Sequence, residues 1–206
     1  MSIQYREVQY QDWTALSTFF SESWFFKGIV DDKILDKYSR YFLLNAYQHA
    51  SFCYVAVKET KMVGFLMGRV DKEFQPNQSI VDEVKQLSEE LDYHQDFKTM
   101  KNTIIDYYTV ADKMIEDSEM KVKDELILFC VDSNCRGQGI GKTLLNKAYS
   151  LYRDAHVNEL FLVTDSICHY QTYDHMGFNQ HAKTSFVFTL PNEKRDINIF
   201  VYTFKI

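Results

Sequence analysis

Hydrophobic residues change their spacing along this chain, and each change predicts an element. Ile3-Gln-Tyr-Arg-Glu-Val8 alternates apolar and polar positions well enough for a strand with one buried face. Asp12 then stands where a carboxylate caps a helix, and Trp13, Leu16, Phe19 and Phe20 fall on one side of that helix. A second helical stripe, from residue 32 to about 49, carries Ile34, Leu35, Tyr38, Tyr41, Phe42 and Leu44. Residues 52–57 and 62–70 read as two strands, and the polar turn Lys58-Glu-Thr-Lys61 between them makes a hairpin.

About fifty residues follow before the next strongly apolar strand, and they are not a linker. Ile80, Val81, Val84, Leu87 and Leu91 recur at helical spacing, and so do Phe97, Met100, Ile104, Tyr108, Ala111 and Ile115. Two amphipathic helices are expected there. Their apolar faces must pack on the body of the same domain or on a second copy, so a homodimer is one of the two ways to cover them.

Beyond the insert, Leu126-Ile-Leu-Phe-Cys-Val131 is an apolar strand, and Leu144, Leu145, Ala148, Leu151 and Tyr152 continue a helix to about residue 156. A strand at 159–163, a short helix around 170–175 and a hairpin of 183–190 with 196–204 complete the order. No internal repeat or low-complexity tract interrupts it.

Composition narrows the class. At 206 residues the chain suits one domain with an elaboration, and 16 Phe and 14 Tyr with only 7 Gly and 2 Pro argue for order throughout. Cys53, Cys130, Cys135 and Cys168 form no C-x-x-C pair and no Cys/His spacing suited to structural zinc, so no metal is expected. Neither a signal sequence nor a run of about 18 apolar residues is present, which points to a cytoplasmic location without a membrane partner.

The net charge of −6 argues against nucleic acid as a partner. Its distribution says more. Residues 71–125 hold fifteen Asp/Glu against seven Lys, a balance of −8, leaving fourteen acidic and sixteen basic residues elsewhere, a balance of +2. All of the excess negative charge therefore lies in and around the insert, either as a solvated helical face or as an attractor for a cationic substrate.

The densest chemistry sits where the apolar strand ends: Cys135-Arg136-Gly137-Gln138-Gly139-Ile140-Gly141-Lys142-Thr143. Glycines between a strand and a helix start let backbone amides approach an anion, and the helix dipole adds positive potential. Three glycine-rich patterns compete. The nucleoside-triphosphate loop requires Gly five residues before the Gly of Gly141-Lys142-Thr143, and position 136 is Arg. The dinucleotide pattern Gly-x-Gly-x-x-Gly meets Lys142 from one start and Leu144 from the other.

What remains, Arg136-Gly-Gln-Gly139-Ile-Gly141, resembles the Arg/Gln-x-x-Gly-x-Gly/Ala signature of the GNAT acyltransferase superfamily. A second motif of that family follows a strand downstream, Tyr173-Asp-His-Met-Gly177-Phe178. The resemblance implies an α/β (mixed α+β) fold: a central mixed, mostly antiparallel, splayed sheet flanked by helices. The helical insert, at about 74–122, would lie between the third and fourth strands of a single domain spanning 1–206.

It also implies acetyl-coenzyme A as co-substrate, with direct transfer of its acetyl group to a primary amine, expected here to be that of a small molecule. A non-catalytic acyl-coenzyme A sensor would keep the same cradle. Arg136, Gly137, Gln138, Gly139, Ile140, Gly141 and Lys142 would then hold the pyrophosphate, and the backbone of Phe129 and Val131 the pantetheine arm. Ser166 occupies a place where many relatives carry Asn, a departure from the pattern. Tyr173 would be the acid that protonates the departing thiolate, since a phenol near pKa ~10 is protonated at neutral pH.

For the base, Glu125 starts the strand where some relatives place a catalytic glutamate, and period-two geometry would put Ile127, Phe129 and Val131 on its face. Asp124 beside it blurs the register. Cys168 and His169 share the short helix with Tyr173, but a direct transfer needs no nucleophilic cysteine.

Overall fold

The computed structural model describes residues 2–24 and 28–206; Met1 and residues 25–27 of the expected domain lie outside them. Its strands are β1 (Ile3–Glu7), β2 (Phe52–Lys58), β3 (Lys61–Arg69), β4 (Glu125–Val131), β5 (Glu159–Asp165), β6 (Asn179–Thr189) and β7 (Lys194–Lys205). The helices are α1 (Trp13–Ser23), α2 (Leu35–Tyr47), α3 (Gln78–Leu91), α4 (Gln95–Asp117), α5 (Ile140–Asp154) and α6 (Gln171–His175). All strands join one sheet in the order β1-β2-β3-β4-β5-β7-β6. Every neighbouring pair is antiparallel except β4 and β5.

That parallel pair is where the sheet opens. β4 meets β5 only at Glu125 and Phe161, whereas β3 and β4 stay paired from Arg69–Glu125 to Gly64–Val131. A bulge lies in between: Gly68 pairs with Leu126 and Met67 with Leu128, so Ile127 is left over. A bulge bends its strand and increases the local twist. It turns β4 away from β5 just beyond the junction.

The bulge also corrects the expected alternation. Ile127 and Leu128 both pack on the core beneath α1 and α2, while Leu126, Phe129 and Val131 join the cluster under α5. Phe129 and Val131 are thus on the face opposite the one predicted for them.

The first core face is built by α1, α2 and α3, with Leu16, Tyr38, Leu43, Phe65, Met67 and Phe97 almost wholly buried. The second lies under α5, around Leu66, Leu126, Leu144, Tyr152 and Tyr202. Asp12 does not cap α1 as expected. Its carboxylate instead accepts the Gln9 amide at 2.7 Å and pairs with Arg6, which raises the Arg6 pKa and lowers that of Asp12.

The insert is covered by its own chain. Ile80, Val84, Leu87 and Leu91 of α3 pack into the first core, and ion pairs Arg40–Glu83 and Lys37–Glu90 (2.7 Å) tie α3 to α2. Part of the insert's acidity is thereby spent on its own attachment. Helix α4 starts on the same core and ends on the sheet, where Tyr107 and Ala111 meet Ile197 and Ile199 of β7. Its buried stripe runs Phe97, Met100, Thr103, Tyr107, Ala111, one position away from the predicted Ile104 and Tyr108. Thr103 tolerates burial because its hydroxyl donates to the Thr189 carbonyl at 2.8 Å.

Gly68 holds the junction together. A Cβ there would lie 2.4 Å from the Tyr152 hydroxyl and 2.8 Å from the Glu125 carbonyl oxygen, the same two groups that hydrogen-bond at 2.7 Å. Backbone cannot step aside as a side-chain tip can. Gly68→Ala is expected to cost about 1–3 kcal/mol, the range for overpacking a filled core, read as a lower urea midpoint at unchanged slope.

Candidate active site

The loop from Arg136 to Lys142 leaves the end of β4 and starts α5, and its three glycines are required for different reasons. Gly137 and Gly139 both have φ +78°, in the left-handed region, with open space where a Cβ would stand. Gly141 instead is crowded, since its Cβ would lie 3.1 Å from the Phe129 ring and 3.6 Å from Val131. Conformation fixes the first two and close helix-to-strand packing the third.

Those backbone choices leave donors free. The first bond of the helix runs from the Thr143 amide to the Gly139 carbonyl at 3.0 Å, and among the described residues the amides of 137–142 have no acceptor. Arg136, Gln138 and Lys142 are exposed beside them, and neither cation is in an ion pair among the described residues. The nearby acid Asp132 is already engaged, by Lys61 at 3.1 Å and by the Asn134 amide at 2.9 Å. The arrangement suits an anion with several oxygens.

Glu125 lies at the closed end of the splay, on the other face of the sheet. Its carboxylate pairs with Arg69 at 3.1 Å and its carbonyl is held by Tyr152. Burial pushes its pKa up to about 7, Arg69 opposes the rise, and Asp112 on α4 adds to it. A carboxylate poised near neutrality can take a proton and return it.

Tyr173, on α6, reaches the splay from the second face. Its ring lies edge-on to Phe178 at 5.4 Å and beside Tyr202 at 5.9 Å, and its hydroxyl has no partner among the described residues. Burial raises its pKa above the ordinary tyrosine value, and the neighbourhood of Cys168, Cys130, Tyr149 and Asp165 adds to the effect. Gly177, at φ +84°, ends the helix so that Phe178 can turn into the core.

Ser166, expected at the cofactor arm, is placed less favourably, and Cys168 is no better suited to a nucleophile's role than the direct transfer requires. Ser166 pairs with Asn198, its amide donating to the Asn198 carbonyl and its Oγ accepting the Asn198 amide, each at 3.0 Å. The hydroxyl therefore extends the β5–β7 ladder, and its own proton is what it retains for a ligand. Desolvation by neighbouring protein, together with the Asp165 charge, pushes the Cys168 thiol up to about 12, although the residue itself is exposed. It is protonated at neutral pH and a poor nucleophile.

Among the described residues no group of three His, Cys, Asp or Glu is disposed to hold a metal ion, and no helix is long and apolar enough to cross a membrane. Two surface depressions, of about 540 and 620 Å³, lie away from the splay, one at the closed ends of β4 and β5 and one along α5.

Residues 76–189, more than half of the chain, match the family model described as the acetyltransferase (GNAT) domain. The chain belongs to the GNAT acetyltransferase family. That match spans the insert, the glycine loop and Tyr173, and it makes the protein an acyltransferase by family. No curated protein sequence matches the chain.

Solved GNAT structures share the fold at low identity. The PaiA N-acetyltransferase of Thermoplasma acidophilum, in complex with coenzyme A, is 16% identical over 100% of both chains with a TM-score of 0.56. Arabidopsis thaliana NAA60, in complex with a bisubstrate analogue, is 12% identical over 100% of this chain and 98% of that one, with a TM-score of 0.58. The ribosomal-protein-alanine N-acetyltransferase of Brucella melitensis is 16% identical over 98% and 99%, with a TM-score of 0.56.

Within this GNAT fold, sequence reasoning missed Arg69, Asp112 and Tyr107. Arg69 stands directly across β3–β4 from Glu125, a pairing that strand register would have revealed only with the bulge in place. Asp112 and Tyr107 come from the insert, whose approach to the sheet no local pattern announces.

Proposed function

We propose that this acetyltransferase uses acetyl-coenzyme A as donor and a primary amine of a small molecule as acceptor, within a single domain that includes the insert. The observation that carries the reading is the pairing of two sites across one splay: a row of free amides at 137–142 on one side and Glu125 on the other. The loop fits a pyrophosphate because its donors are unpaired and two cations stand beside it. Phe129 and Val131 belong to the stretch of β4 that has left β5, so unpaired backbone there suits an extended amide-bearing arm.

Acetyl-coenzyme A, when bound, supplies an activated acyl group and a thiolate leaving group. The chain's own residues have the remaining work. Glu125 accepts a proton from the acceptor ammonium, directly or through water, and so frees the lone pair that attacks. Arg69 keeps that carboxylate from rising beyond the neutral range. Tyr173 donates a hydrogen bond to the departing sulfur.

Its raised pKa sets the size of that contribution. Full transfer from such a phenol to a thiolate of ordinary basicity, ~8.5, is uphill. Hydrogen bonding to the developing charge is not. Tyr173→Phe should therefore lower kcat by roughly 10–100-fold, the worth of one charge-assisted hydrogen bond. Acetyl-coenzyme A binding, followed by calorimetry, should stay within a few-fold of the wild type. Unchanged kcat would remove Tyr173 from the chemistry.

A further inference from the structure

Helix α4 brings a group to the splay that the reading above leaves unused. Tyr107 is 7% exposed, held edge-on by Phe186 at 5.8 Å, Phe188 at 6.4 Å and Tyr108 at 5.3 Å. Its hydroxyl nevertheless makes no hydrogen bond among the described residues. The hydroxyl still reaches solvent, so it is open to an incoming group. A ligand donor could take the place of water there.

The surroundings specify the ligand's charge. Asp165, Cys168 and Tyr173 act electrostatically on the Tyr107 phenol, and Glu125, Asp165 and Asp112 on that of its neighbour Tyr108. Carboxylates on β4, β5 and α4 thus set a negative field here; Asp165 stands across from Ile199 in the β5–β7 register with its Oδ1 accepting the Ile167 and Cys168 amides, and Arg69 pairs with Glu125. Val163, Ala111, Ile197 and Ile199 make the adjoining wall apolar. A cation carried on hydrocarbon satisfies both features.

We propose that α4 carries the acceptor subsite, in which the Tyr107 hydroxyl accepts a hydrogen bond from a primary ammonium on an aliphatic chain and Asp112 and Asp165 supply the attracting charge. This rests on the amine-acetylating reading and names the part of the chain that selects the amine. Tyr107 is a specificity-determining residue here; it takes no proton in the reaction. The insert is then part of the site as well as of the core.

The test measures thiol release from acetyl-coenzyme A by the full chain with 1,4-diaminobutane, n-butylamine and a glycyl peptide as acceptors. Aliphatic amines should be used in preference to the peptide. Tyr107→Phe should raise the KM of the aliphatic amine by roughly 10–100-fold, about one hydrogen bond to a charged donor, while kcat and the KM of acetyl-coenzyme A stay within a few-fold. Asp112→Asn, an exchange that preserves shape, should raise the same KM and relax the preference over the peptide.

If the wild type turns over an aliphatic amine but both variants keep its KM, the subsite is overturned and the amine reading stands. Preference for the peptide also overturns the subsite. If the wild type binds acetyl-coenzyme A but turns over none of the three amines, the amine reading fails and the subsite with it.

Discussion

Glu125→Gln is expected to lower kcat/KM by roughly 10²–10⁴-fold, the usual contribution of a general base, and to change the shape of the pH profile. Glu125 has its pKa pushed up to about 7, chiefly by burial. The base is its ionised form, so activity should be full above about pH 7 and fall as pH drops through that value, approaching tenfold per unit. In Glu125→Gln no carboxylate titrates there. The same amine must be used for both proteins, so that its own titration cancels, and the acid limb assigned to Glu125 should vanish from the variant.

The neighbours of Glu125 predict the direction of smaller shifts. Arg69 holds the carboxylate down, and Asp112 pushes it up. Replacing Arg69 with Gln should therefore move the acid limb to higher pH. A limb that stays in place in both variants would assign the titration to another group.

The second large effect belongs to the donor loop. Gly139→Val places a β-branched residue at φ +78°, where L side chains are strained, and sends a side chain from the middle of the free amide row. Hydrogen bonds to charged groups are worth about 1.5–3 kcal/mol each, so losing two weakens binding by roughly 10²–10⁴-fold. Isothermal titration with acetyl-coenzyme A reads the affinity, and a thermal unfolding scan separates lost binding from lost fold. Equal affinity in a folded variant would free the loop from any role in holding the donor.

These two regions were unequally legible in the sequence. The glycine loop is a local device: its conformation is fixed by positive φ at 137 and 139 and by Phe129 against 141, and spacing records all three. The strand and helix order was legible for the same reason, since alternation and helical stripes are short-range. Glu125 was placed at the head of its strand correctly, but its face was argued from a period that the bulge at Ile127 breaks.

The insert shows the limit more clearly. Its helices were expected from periodicity, yet the stripe of α4 was read through Ile104 and Tyr108, while Thr103 and Tyr107 are the buried positions. A hydroxyl can be buried when a distant carbonyl receives it, and Thr189 lies far along the chain from Thr103. The acidic run divides likewise. Glu83 and Glu90 fasten α3 to α2, whereas Asp112 acts electrostatically on Glu125, and composition alone treats them as one patch.

The central claim is that donor cradle and base act on one reaction across the splay. Thiol release from acetyl-coenzyme A, measured as amine concentration is raised, tests it most directly. The account predicts release that saturates with amine and is matched by an equal amount of acetylated amine. Saturable binding of acetyl-coenzyme A with thiol release independent of every amine would contradict it, and would describe a protein that holds the donor without transferring its acyl group.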